Sequence, residues 1–107
     1  MEQPMYPVAS KEIGKKREEL ASETLKTFRS FSQQVFVEGA LPSKTKELIA
    51  VAVAHVTQCP YCIRSHTMRA QAKGATGAEI MEAIWVAAEM RAGASIAHSA
   101  LAIDAMK

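Results

Sequence analysis

Apolar residues recur at three- and four-residue intervals through Ala21, Leu25, Phe28, Phe31, Val35 and Phe36, the period of one face of an α-helix. Ser10 supplies a cap upstream and Gly39 and Pro42 a stop downstream, so the pattern predicts one helix that buries a single face. Ser43 can cap a second helix over residues 44–57. From Leu48 to Val56 that helix is apolar on nearly every side except at His55, which predicts a centrally buried element. The alternation in AVAVA also suits a strand, but alanine is a poor strand former, the run continues the capped KTKEL segment, and no partner strand is apparent. A third helix opens at Pro60, where proline suits the first helical position, and runs to Lys73 before Gly74. Thr76 with Glu79 is a capping box for a fourth helix carrying Ile80, Ile84, Trp85 and Ala88. The Ala92–Ser95 stretch either breaks or tightly packs a fifth segment that ends near Met106.

The reading is therefore all-α, in one domain spanning residues 1–107. A chain of 107 residues buries roughly two-thirds of its unfolded surface and can form a core without staples. Trp85, several Met and many Ala lie on segments with little polar surface, which predicts that some apolar area meets another subunit. The net charge of +2 comes with Lys11, Lys15, Lys16 and Arg17 interleaved with Glu12, Glu18 and Glu19, a solvated helix face rather than a nucleic-acid footprint. The amino terminus, with its early Glu and a Pro-broken lead, does not read as a secretory signal, and LIAVAVA is far short of a membrane span. The expected location is the cytoplasm, with no membrane partner. In a reducing compartment a close Cys pair is more often catalytic or metal-binding than a structural staple.

That pair is Cys59 and Cys62, within HVTQCPYCIRSH. Cys59 is placed at the N-cap of the third helix and Cys62 in its first turn, where unpaired N–H groups favour a thiolate. His66 follows Cys62 by four residues, so the two share a helix face, and an imidazole there can take the thiol proton or supply one to a departing oxygen. Glu47 is a carboxylate at the start of the apolar helix. It either complements the helix dipole from the surface or orients a histidine and relays protons. It stands 12 positions before Cys59, roughly 18 Å along a straight helix, so the second role needs tertiary packing or a neighbouring subunit. His55 and His98 read first as packed core histidines that can also line a pocket beside Tyr61. Three alternatives stand beside a redox dithiol. CPYC is similar to the glutaredoxin site but lacks the preceding strand; His55, Cys59, Cys62 and His66 offer four zinc ligands without the usual long loop between pairs; and two buried thiols can be chemically inert.

Glu47, eleven intervening residues, the CPYC pair, three more residues and His66 together resemble the E-x11-CxxC-x3-H signature of the AhpD-like alkylhydroperoxidases, within the carboxymuconolactone decarboxylase superfamily. The likeness extends from about Leu41 through GATGAEIMEAI to His98. It implies an all-helical subunit of about five to six helices in a homotrimer or homohexamer, and a peroxidase or disulfide reductase activity with no bound cofactor or metal. Carried over, Cys62 is the peroxidatic thiol, Cys59 the resolving thiol, and His66 with Glu47 the proton relay. The implied partners are a hydroperoxide substrate and an external dithiol reductant, which in the family's founders is lipoyl-bearing. Where some members carry a histidine before the second cysteine this chain has Tyr61, so that extra imidazole is missing. True decarboxylases of the superfamily lack the dithiol, which argues against lactone decarboxylation.

Overall fold

The computed structural model describes residues 5–107, and the start of the Pro-broken lead, residues 1–4, lies outside them. Among the described residues the secondary structure is five helices and no strand: α1 Lys11–Leu20, α2 Ser22–Phe36, α3 Ser43–Thr57, α4 Pro60–Ala72 and α5 Gly77–Ala105. They fall into two compact units, one ending at Val37 and the other Glu38–Lys107.

The first unit corrects the expectation of a single helix up to Phe36. Ser10 caps α1 by accepting the Ile13 N–H at 3.2 Å, but the chain leaves helical geometry at Ala21, with φ −157° and ψ 59°, before α2 begins. The apolar stripe thins out across the break: it is dense from Leu25 onward, whereas α1 carries only Ile13 and Leu20 as large apolar residues among its charges and buries neither. The expectation that this stripe is buried also fails within the chain. No residue of α2 is buried, and Phe28 and Phe31 are exposed with their rings 6.4 Å apart.

In the second unit α3 is central, packed against both α4 and α5. Its buried residues Val51 and Ala54 face inward, and Val51 joins Ala70, Ala75 and Ile80 in a small core with Leu48 and Ile84 against it. Ser43 is the first helical residue rather than the cap. Pro42 occupies the cap position, and the Glu38 carboxylate takes the Ser43 N–H at 3.0 Å.

Two turns fold α3, α4 and α5 onto one another, and both use a left-handed residue. Gly74, with φ +92°, closes α4: the Ala75 N–H reaches the Ala70 carbonyl and the Gly74 N–H that of Gln71, both at 2.9 Å, so that two small buried residues meet under the turn. Gln58 does the same for α3 without being glycine. It sits at φ 56° and ψ 50°, and the Cys59 N–H reaches back to the Ala54 carbonyl at 3.1 Å. Cys59 is thus both the residue that ends one helix and the cap that starts the next.

The small-residue stretch after Ala92 does not break the last helix, which runs uninterrupted through Gly77–Ala105. Alanine is the best helix former, and the one glycine inside that stretch, Gly93, costs only about 1 kcal/mol. Thr76 and Glu79 form a reciprocal capping box at the start of α5, with hydrogen bonds of 3.1 and 2.9 Å. The Lys44 ammonium lies 2.9 Å from the Glu79 carboxylate and ties the start of α3 to the start of α5. Beyond its first turns α5 is mostly apolar, interrupted by Glu89, Arg91, His98 and Asp104, and leaves Trp85 67% exposed, along with Val86, Met90, Ile96 and Leu101. No helix among the described residues is long and apolar enough to cross a membrane.

Two stability changes follow. A left-handed glutamine carries a steric cost that glycine does not, so Gln58→Gly should raise the urea midpoint, by a gain of up to about 1 kcal/mol. Hydrogen bonding to Lys44, then to the Thr76 N–H, holds the Glu79 carboxyl below its ordinary value. Its contribution is therefore complete above the unfolded value of roughly 4.3 and is lost as pH falls through the lower folded value. Glu79→Gln should be less stable than the parent at neutral pH, and urea titrations should show the gap closing below that range.

Candidate functional site

The turn at Gln58 resolves the distance problem posed by Glu47. Because α4 folds back along α3, His66 returns to the level of Glu47, and its Nδ1 lies 2.6 Å from Glu47 Oε1 within one chain. Glu47 is only 4% exposed. An ionised carboxylate can only accept, so the hydrogen is on Nδ1 and the tautomer is the one that makes Nε2 the basic nitrogen. A buried carboxylate without a partner would cost several kcal/mol, which makes His66 a requirement of the fold as well as a chemical group. Among the described residues no buried side-chain nitrogen or oxygen lacks a hydrogen bond.

Cys59 stands at the N-cap of α4 and its sulfur accepts the Cys62 N–H at 3.2 Å, with Pro60 opening the helix between them. The two cysteines are joined as a disulfide, their Cα atoms 5.3 Å apart. Both are partly exposed, so a small oxidant or an incoming thiol has access to the pair. Cys62 is one turn before His66 on α4, and Glu47 approaches the same turn from α3.

The remaining candidates lie elsewhere or are otherwise engaged. His55 Nδ1 is 2.7 Å from the Val51 carbonyl on its own helix, and His98 Nδ1 is 2.9 Å from that of Ala94 on the exposed surface of α5. Tyr61, between the cysteines, is 40% exposed. Among the described residues no three His, Cys, Asp or Glu side chains gather as a metal-binding group, and the four residues of the zinc alternative are divided between different hydrogen-bond partners and the disulfide.

Two supporting residues were not singled out from the sequence. Gln58 turns the chain, and nothing in its residue type announces a left-handed conformation. Arg91, on α5, places Nη1 3.2 Å from the Val56 carbonyl and so braces the end of α3 immediately before the turn. A lone arginine 35 residues away offers no local signal of that contact.

The sequence profile of the carboxymuconolactone decarboxylase family matches residues 22–105 of this chain. The protein of Paracoccus denitrificans named uncharacterized protein 4 in cox locus is 64% identical over 72 residues, which are 67% of this chain and 65% of that protein, just under two-thirds of its length. Among solved structures, a carboxymuconolactone decarboxylase family protein from Legionella pneumophila superimposes with a TM-score of 0.69 at 38% identity, covering 88% of this chain and 83% of that one. A family member from Thermotoga maritima, for which a part in the antioxidative response has been suggested, does so with a TM-score of 0.57 at 27% identity, over 78% and 96% of the two chains.

The Glu47 contact predicts a spectroscopic signature. Nitrogen-15 NMR of the imidazoles should show His66 as the Nδ1–H tautomer, and Glu47→Leu should shift it toward the Nε2–H form that free imidazole prefers. An unchanged His66 spectrum in that variant would remove the carboxylate from the site.

Proposed function

We propose that this chain, which belongs to the carboxymuconolactone decarboxylase family, is a thiol-dependent peroxidase and disulfide oxidoreductase that reduces alkyl hydroperoxides through Cys62 and Cys59. The observation that carries this reading is the convergence of a bonded Cys59–Cys62 pair with a buried Glu47 that orients His66 one turn beyond Cys62. The suggested antioxidative role of the Thermotoga maritima relative supports it.

In the reaction the Cys62 thiolate attacks the terminal oxygen of the hydroperoxide. The O–O bond breaks, sulfur gains the hydroxyl as a sulfenic acid, and the alkoxide leaves as an alcohol after taking a proton through His66. The Cys59 thiol then attacks the sulfenic sulfur, water leaves, and the disulfide forms. Glu47 stabilises the imidazolium that appears when His66 accepts a proton. An external dithiol restores both thiols, and no bound cofactor is required.

The chain works in the cytoplasm as a homotrimer or homohexamer, in which the exposed apolar residues of α5 such as Trp85 and Met90 meet neighbouring subunits. His55, Tyr61 and His98 border the substrate's approach in that assembly. The zinc alternative, whose four ligands lie within one twelve-residue stretch, is not favoured by the structure, where His55, His66 and the two cysteines have separate partners.

Intact-mass measurement on reduced, metal-free protein decides between them. One equivalent of alkyl hydroperoxide should remove about two mass units within seconds, the two hydrogens lost on disulfide formation. Cys59→Ser should accumulate a trapped sulfenic acid, Cys62→Ser should not react, and Glu47→Gln should oxidise more slowly by about tenfold or more. Thiols that survive peroxide in a protein purified with one zinc per chain would establish the metal reading instead.

A further inference from the structure

The dithiol sits at one end of a helix whose outer face is cationic. Residues 41–75 carry five lysines and arginines, Lys44, Lys46, Arg64, Arg69 and Lys73, against one carboxylate, Glu47, which is buried beneath them. Lys44 is neutralised by Glu79. Arg64, Arg69 and Lys73 are exposed, none of them forms an ion pair among the described residues, and α4 itself contains no acidic residue.

The cations are also ordered in space. Tyr61, Arg64 and Met68 recur at three and four residues and so share one stripe of α4; Arg69 flanks the Tyr61–Met68 pair on the side away from Arg64, and Lys73 follows at the C-cap beyond Arg69. Tyr61 and Met68 are 40% and 60% exposed. The stripe begins between the two cysteines and runs roughly 10 Å to Met68. Exposed Tyr, Met and Arg without Asp or Glu is the composition of a recognition surface rather than of ordinary solvated helix, where both signs are interspersed.

We propose that this face of α4 docks an acidic, dithiol-bearing protein, the reductant that reopens the Cys59–Cys62 disulfide. The inference rests on the redox reading of that pair. One thiolate of the partner attacks Cys62 Sγ, forming a mixed disulfide as the Cys59–Cys62 bond breaks. Cys59 departs as the thiolate, since its sulfur is the one that faces a helix N–H, that of Cys62. The partner's second thiolate then attacks its own bonded sulfur and releases Cys62. The two protons of the dithiol end on Cys59 and Cys62, and the partner leaves oxidised. The positive face steers the acidic encounter and the apolar pair Tyr61 and Met68 fixes its register, so the surface acts chiefly on the association rate.

The test uses two synthetic dithiol peptides of equal length, one with glutamates flanking its cysteines and one with lysines, and dithiothreitol as a neutral reductant. Rates of disulfide opening are normalised to the dithiothreitol rate of the same protein. At low ionic strength the acidic peptide should be faster than the basic one by about tenfold or more, and the gap should collapse in about 0.5 M NaCl. In Arg64→Glu/Arg69→Glu the order of the peptides should invert. Peptide rates within about twofold of each other at low salt overturn the docking proposal while leaving the dithiol chemistry intact. If in addition the assembly becomes smaller in the double variant, the face belongs to a second copy of the chain. A disulfide that dithiothreitol itself fails to open sinks the redox reading and this proposal with it.

Discussion

The structure of the second unit turns on burying one carboxylate. Glu47 lies beneath the surface of α3, where an unpaired charge costs several kcal/mol and where His66, on another helix, meets it at 2.6 Å. That contact requires α4 to lie back along α3 in one register. A helix turn more or less would carry the imidazole about 5.4 Å away and leave the carboxylate unpaired. The left-handed Gln58, the closure of the Cys59 N–H onto Ala54, and Arg91 on the Val56 carbonyl all serve that register. The core packed beside that contact is small, with Val51, Ala70, Ala75 and Ile80 buried and Leu48 and Ile84 against them.

Much of this was legible in the residues, and the parts that were not share a cause. Pro60 at the first helical position, Gly74 at a left-handed turn and the Thr76–Glu79 capping box are local devices whose chemistry is complete within a few residues, and α4 and α5 open where those devices stand. Ala21 and Gln58 carry no such device. An alanine between charged and apolar segments and a glutamine after a β-branched residue are both compatible with continued helix, so neither residue type announces the break. The same holds in reverse for the small residues after Ala92, whose type suits a break as well as tight packing and which lie inside an unbroken helix. The Glu47–His66 contact was legible as a pairing of types and not as a geometry. Its formation depends on the one turn the sequence does not mark.

The two faces of the dithiol hairpin differ in kind. Inward, its residues are small and its single carboxylate is hydrogen-bonded. Outward, α4 offers tyrosine, methionine and arginine beside a disulfide that is partly open to solvent. This division sets a buried, hydrogen-bonded side and an exposed side on opposite flanks of one helix. The uncovered apolar surface of α5 lies outside this arrangement.

Glu47, the reversal at Gln58, both cysteines and His66 occupy twenty consecutive residues, since the two ends of the constellation are 19 positions apart. A ribosome therefore delivers the whole chemical group before it begins α5. What the emerging hairpin lacks at that moment is Ile80 against Val51 and Arg91 on the α3 terminus, both of which arrive later in synthesis. The last helix is thus the clamp applied to a site already encoded, and short sequence separation keeps the entropy of assembling that site low.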